Sequence, residues 1–201
     1  MPASNELVEL VRVSSLELIA LLSANRDDPL VGFALCTDDD VSCLLPAGCT
    51  VSVASASEDP DILFMPCDWP DLDVRTHDAF ERIVDVFLQR SPDNLWTREA
   101  DFNLVVDGLA AARATGKVEE SVFLTVMSSD PCEHMSNLEE RALPLLNPPH
   151  IVRRWYQWRF DIARSYLLEL RSRPAPLSYA DQDQIERCQS DLQRFHALLN
   201  S

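Results

Sequence analysis

Two hydrophobic periods alternate along the chain. Residues 6–22 place Leu7, Leu10, Val11, Leu18, Leu21 and Leu22 at three- and four-residue steps, the single apolar stripe of a helix packed on a core. Asp27, Asp28 and Pro29 break that period. The continuous apolar run over 30–36 then has the length of a central strand covered on both faces. A turn is predicted at Thr37-Asp38-Asp39-Asp40 and a returning strand over 41–45, so residues 30–45 read as a hairpin. Between 46 and 70 Ser, Asp and Pro accumulate without sustained period, which predicts a loop with one short strand or turn.

Helical spacing resumes near Thr76, first with Phe80, Ile83, Val84, Phe87 and Leu88. A second stripe, Phe102, Val105, Val106 and Leu109, follows Thr97 as a cap and stops by Gly116. Residues 121–127 predict the other strand. Residues 138–149 end in Leu-Pro-Leu-Leu-Asn-Pro-Pro, and those prolines predict an ordered crossing loop rather than a helix interior. A helix over 151–170 turns Ile151, Trp155, Trp158, Ile162 and Tyr166 inward. Ser178 and Asp181 cap a last helix with Ile185, Cys188, Leu192, Phe195 and Leu199 on its inner side. The expected architecture is α+β: a single domain over 1–201 with a small mixed or antiparallel sheet flanked by several helices. Its core spans about 5–170, with the C-terminal helix 178–199 packed on it.

Charge changes this picture most. The 201 residues hold 33 Asp and Glu against 17 Lys and Arg, a net charge of −16 that repels phosphate backbones and anionic lipid surfaces. Direct nucleic-acid or membrane binding is therefore not expected. The imbalance is local. Residues 27–74 contain 11 acids and no base, whereas residues 141–173 contain seven arginines and two acids. The four glycines, Gly32, Gly48, Gly108 and Gly116, are too far apart for a phosphate-cradling loop or a nucleophile elbow. No apolar run reaches the roughly 18–20 residues that span a bilayer, and residues 1–9 carry acids where a signal peptide carries bases, so a cytoplasmic protein with reduced thiols is expected.

Candidate chemistry is sparse. Cys36, Cys43, Cys49 and Cys67 lack the Cys-x-x-Cys spacing of a zinc site, and Asp38, Asp39 and Asp40 lack the alternating ligands of a calcium loop. No metal or cofactor is expected. Cys132-Glu133-His134 places a thiol beside an imidazole, and a small cysteine or histidine hydrolase would gather Cys132, His134 or His150 in one pocket. Arg153, Arg154, Trp155 and Trp158 carry the residue types enriched at interfaces, which offers self-association, as in a homo-oligomeric scaffold, or a second interface. The strongest signal is the acidic segment. Asp38, Asp39, Asp40, Glu58, Asp59, Asp61, Asp71 and Asp73, with Trp69 as an aromatic anchor, have the composition that steers and holds a basic protein partner.

The residue order resembles a family of small bacterial α/β proteins of unknown molecular function. The likeness rests on Phe33-Ala-Leu-Cys-Thr-Asp-Asp-Asp40, the tryptophan loop, a strand ending in Asp130, Ser136, and Leu146-Asn147-Pro148 before a Trp-rich helix, and it spans about 5–170. Members occur as immunity proteins beside polymorphic and type VI secretion toxins. The resemblance implies a cytoplasmic antidote without catalysis, whose partner is a cognate toxin. An acidic surface suits a nuclease toxin, whose substrate cleft must be basic.

Overall fold

The structure is a computed structural model that describes residues 4–38, 40–57, 61–69, 78–89, 95–129, 133–174 and 176–200. The chain divides into two compact units, Met1–Pro148 and Pro149–Ser201, and each is described by itself.

The first unit contains helix α1 (Ser4–Leu22), strands β1 (Leu30–Thr37) and β2 (Leu45–Thr50), and the short helix α2 (Val51–Ala56). Two 3-10 turns (Ile62–Phe64 and Pro66–Asp68), α3 (Asp78–Leu88), α4 (Leu95–Ala114), β3 (Phe123–Ser128) and α5 (Glu133–Leu146) complete it. The sheet order is β2-β1-β3, with β1 antiparallel to β2 and parallel to β3. This is the expected α+β architecture, with a mixed sheet. β1 is central, and Phe33, Ala34 and Leu35 are fully buried, as its unbroken apolar run requires. Leu7 and Val11 of α1, Phe80 and Ile83 of α3, and Phe102 and Leu109 of α4 bury their stripes in the same core.

The returning strand lies later than the pattern predicts, over 45–50 rather than 41–45. Asp38 explains the delay: its carbonyl accepts from Val41 N at 3.1 Å, and its carboxylate accepts from the Ser42 amide at 2.6 Å and from the Ser42 hydroxyl. The chain is thus still turning at Val41, which is held in the left-handed region at φ 52°. Val41 and Leu44 are buried all the same, entering the core from the turn. Pro46 is tolerated in β2 because that strand is an edge.

The crossing loop expected over 138–149 is also corrected: α5 runs through Pro144 to Leu146. The proline sits in the last turn, where only one intrahelical bond is forfeited, and Asn147 N closes the helix on Leu143 O at 2.9 Å. Thr97 lies inside α4, which begins at Leu95. Gly116 ends that segment at φ 71°, a conformation a Cβ disfavours.

The second unit is a hairpin of α6 (Pro149–Ser172) and α7 (Tyr179–Leu199). Ser178 and Asp181 form the capping box anticipated from their spacing. Trp155 near the start of α6 meets Phe195 near the end of α7 at 6.1 Å, while Leu167 and Leu170, farther along α6, pack on Cys188 at the middle of α7. The helices therefore run antiparallel. Ile162 and Tyr166, expected inward, are exposed, and the covered face continues through Ala163, Leu167 and Leu170. Both registers lie within one residue of the apolar stripe, so spacing alone leaves the choice open.

Candidate functional site

Because β1 and β3 are parallel, both chain segments that follow them emerge at one edge of the sheet. Thr37 pairs with Ser128 there, and Ser129 N donates to Thr37 O at 2.7 Å, one step beyond the ladder. The carboxyl edge of parallel strands is where sheets of this kind gather functional groups, since loops diverge there from a rigid support.

A rim of alternating charge surrounds that edge. Asp40 in the turn after β1 pairs with Arg98 of α4 at 2.6 Å. The next residue of α4, Glu99, takes Arg141 of α5 at 3.4 Å and stands 4.0 Å from His134 Nε2, beyond hydrogen-bond reach. Glu139, buried on the same helix, accepts from the Ser128 amide at 2.6 Å and so closes the rim onto β3. The fixed carboxylates and guanidinium groups can orient a charged protein surface by direct pairing.

Of the acids singled out in the sequence, Asp38 is committed to the turn and Asp40 stands exposed on the rim. Asp61 is half-buried ahead of the first 3-10 turn. Asp39, Glu58, Asp59, Asp71 and Asp73 lie outside the described residues. Asp27 and Asp28 sit at the opposite end of β1, where Asp28 accepts from the Ser52 amide at 2.7 Å and hydroxyl at 2.5 Å, bonds that lower its pKa. At about 3.3 Å per residue the two acidic groups are roughly 23 Å apart, so the described acids of this segment do not form one patch.

The tryptophans named with these charges are buried. Trp69 is buried, its indole donating to Ile62 O at 2.7 Å and its ring lying where a Cβ on Gly32 would be 2.7 Å away. It pins the loop to β1 instead of standing out as an anchor. Trp155 and Trp158 are likewise buried, while Arg153 and Arg154 are exposed on α6. Arg159 stacks over Trp155 at 5.1 Å.

Three of the described thiols, Cys43, Cys49 and Cys188, are held toward the protonated form. Burial, with Asp28 nearby, pushes Cys49 up to about 11, and burial first and Asp38 second raise Cys43. Burial also raises Cys188. A nucleophilic thiol needs the opposite shift. Cys132 lies outside the described residues, His134 is exposed at the start of α5, and His150 belongs to the second unit. Among the described residues no three His, Cys, Asp or Glu side chains are placed to hold a metal ion, and no helix is long and apolar enough to cross a membrane.

The family model for DUF4303, a domain of unknown function, matches residues 9–148. The chain belongs to that family. Every rim residue falls within the DUF4303 span, whereas Arg153, Arg154, Trp155 and Trp158 fall beyond it. The matched span ends where the first compact unit ends, so the DUF4303 domain is the mixed sheet with its helices, and α6 and α7 follow it. No curated protein and no solved structure matches the chain.

Arg98, Glu99, Glu139 and Arg141 were not legible as site residues. The available signal was the adjacent Arg98-Glu99 pair near the start of a predicted helix, but nothing local ties that pair to a turn 58 residues earlier.

Proposed function

We propose that this DUF4303 protein is an immunity protein that binds a cognate secreted antibacterial toxin and blocks it by covering its surface. The observation that carries this reading is charge: residues 1–148 hold 27 acids against nine bases. Such a domain attracts a basic protein, and the most demanding basic surface is the substrate cleft of a nuclease, so a nuclease is the preferred target. Carboxylates such as Asp40 take the place of phosphates, and their arginine partners hold them in position before the toxin arrives. Long-range attraction sets the association rate, and desolvated contacts set release. An antidote of this kind acts in the cytoplasm, where the toxin's target is.

A cysteine or histidine hydrolase is the lesser reading, since His134 is exposed at the start of α5 and His150 belongs to the other compact unit. Co-expression with the product of the adjacent gene tests the proposal. Rescue of growth and a stoichiometric complex are expected, and neither appearing would overturn it. In that complex, Asp27→Lys, Asp40→Lys and Asp68→Lys together should slow association about tenfold at low salt and flatten its salt dependence.

A further inference from the structure

Where the first turns of α6 meet the last turn of α7 there is a cavity of about 500 Å3. α6 lines it with His150, Arg153, Arg154, Gln157 and Phe160, residues that recur on one side of the helix, and His196 of α7 faces them. Two guanidinium groups and two imidazoles thus share one cavity, and none of the described residues lining it is acidic. On the same helix, Asp161 accepts from Gln157 Nε2 at 2.9 Å.

This composition runs against the chain as a whole, whose net charge is −16. The hairpin is different: residues 149–201 hold eight arginines and six acids. Charge is screened over about 8 Å at physiological ionic strength, so an anion entering the cavity responds to the charges that line it more than to the net charge of the chain. Both arginines stay charged at any working pH, and their planar forks match the oxygens of a phosphate. The aromatic wall is fixed too. Phe160 and His196 lie 6.4 Å apart between centroids at 38°, and Asn200 Nδ2 donates to His196 O at 2.7 Å, bracing the end of α7.

We propose that this cavity binds a small phosphate monoester carrying a planar group, of about the size of a mononucleotide, with the phosphate on Arg153 and Arg154 and the ring against Phe160. The volume is that of an ordinary small-molecule site. Side-chain forks here do what closely spaced glycines do in phosphate-binding loops, which this chain lacks. The site lies outside the DUF4303 span and does not depend on the toxin-binding reading.

Calorimetric titration of the full chain with AMP, ribose 5-phosphate and adenosine tests it. AMP should bind saturably and more tightly than ribose 5-phosphate, with adenosine weaker than either. Arg153→Gln and Arg154→Gln, both exposed substitutions, should each weaken AMP about tenfold, and Phe160→Leu should weaken AMP while sparing ribose 5-phosphate. Absence of saturable AMP binding, or AMP affinity unchanged in both arginine variants, would overturn the site. Equal binding of AMP and ribose 5-phosphate would overturn the place given to Phe160.

Discussion

Asn147 shows how much a single side chain contributes here. Its carboxamide accepts from Leu124 N at 2.8 Å and donates to Leu124 O at 2.7 Å, so one residue stands in for a neighbouring strand along the free side of β3. The same amide group donates to Leu143 O at 3.1 Å and ties the end of α5 to that strand. Glu139 covers the Ser128 amide in the same way. An edge satisfied by side chains cannot template pairing with another chain. Asn147→Ala should therefore cost about 2–4 kcal/mol in urea unfolding, because it strands a buried donor and acceptor together; a loss below about 0.5 kcal/mol would contradict the role. The thiols give a second expectation at this scale. Cys49, with its ordinary value near 9 raised to about 11, should resist alkylation in the native protein at pH 8. Since the raised value belongs to the folded state, its contribution to stability is complete below pH 9 and is lost as pH climbs toward 11. Thermal melts across that range, compared with Cys49→Ser, would show the difference.

Between elements, close approach of α1 and α4 depends on Gly108. A Cβ there would lie 2.5 Å from both Cβ and Cγ1 of Val11 and 3.0 Å from Val8 O, atoms that cannot move without shifting α1. Gly108→Ala should cost about 1–3 kcal/mol through overpacking. Gly116→Ala meets nothing within 4 Å and should cost about 1 kcal/mol, from its φ of 71° alone. Measured by denaturant unfolding, a cost below about 0.5 kcal/mol for Gly108→Ala would refute its steric account. What could be read in the sequence follows the same division between local and distant causes. α1, β1, α3, α4 and β3 follow from apolar periods because each buries a continuous stripe in one core. β2 lies later than its pattern suggests because the buried residues Val41 and Leu44 imitate a strand while Asp38 holds the chain in a turn. α5 was missed because Pro144 forbids a helix interior but not a helix end. At the rim the acids of the turn were legible, but Arg98, Glu99 and Arg141 reach them only through helix placement. The burial of Trp69 is not legible, because composition names a residue type and not the glycine beneath it that admits its ring.

For the molecule as a whole, charge and compactness divide at the same place. Residues 1–148 carry the sheet, the largest apolar cluster and a charge of 27 acids against nine bases, and the DUF4303 match ends at that boundary. A fragment of that size with its own core should fold alone, whereas two helices of residues 149–201 fall in the range where burial barely offsets chain entropy. The 1–148 fragment should therefore melt cooperatively. Its excess of acids should also make it unusually responsive to salt, because like charges repel more in the compact state than in the expanded one. Raising sodium chloride from about 20 mM to about 300 mM shortens the screening length from about 20 Å to about 6 Å, so repulsion across the domain is removed while short ion pairs such as Asp40 with Arg98 persist. Its melting temperature, followed by circular dichroism, should rise over that range. A fall would mean that local pairs at the rim, and not the net negative charge, dominate the electrostatics of the domain, and it would remove the long-range field on which toxin steering depends.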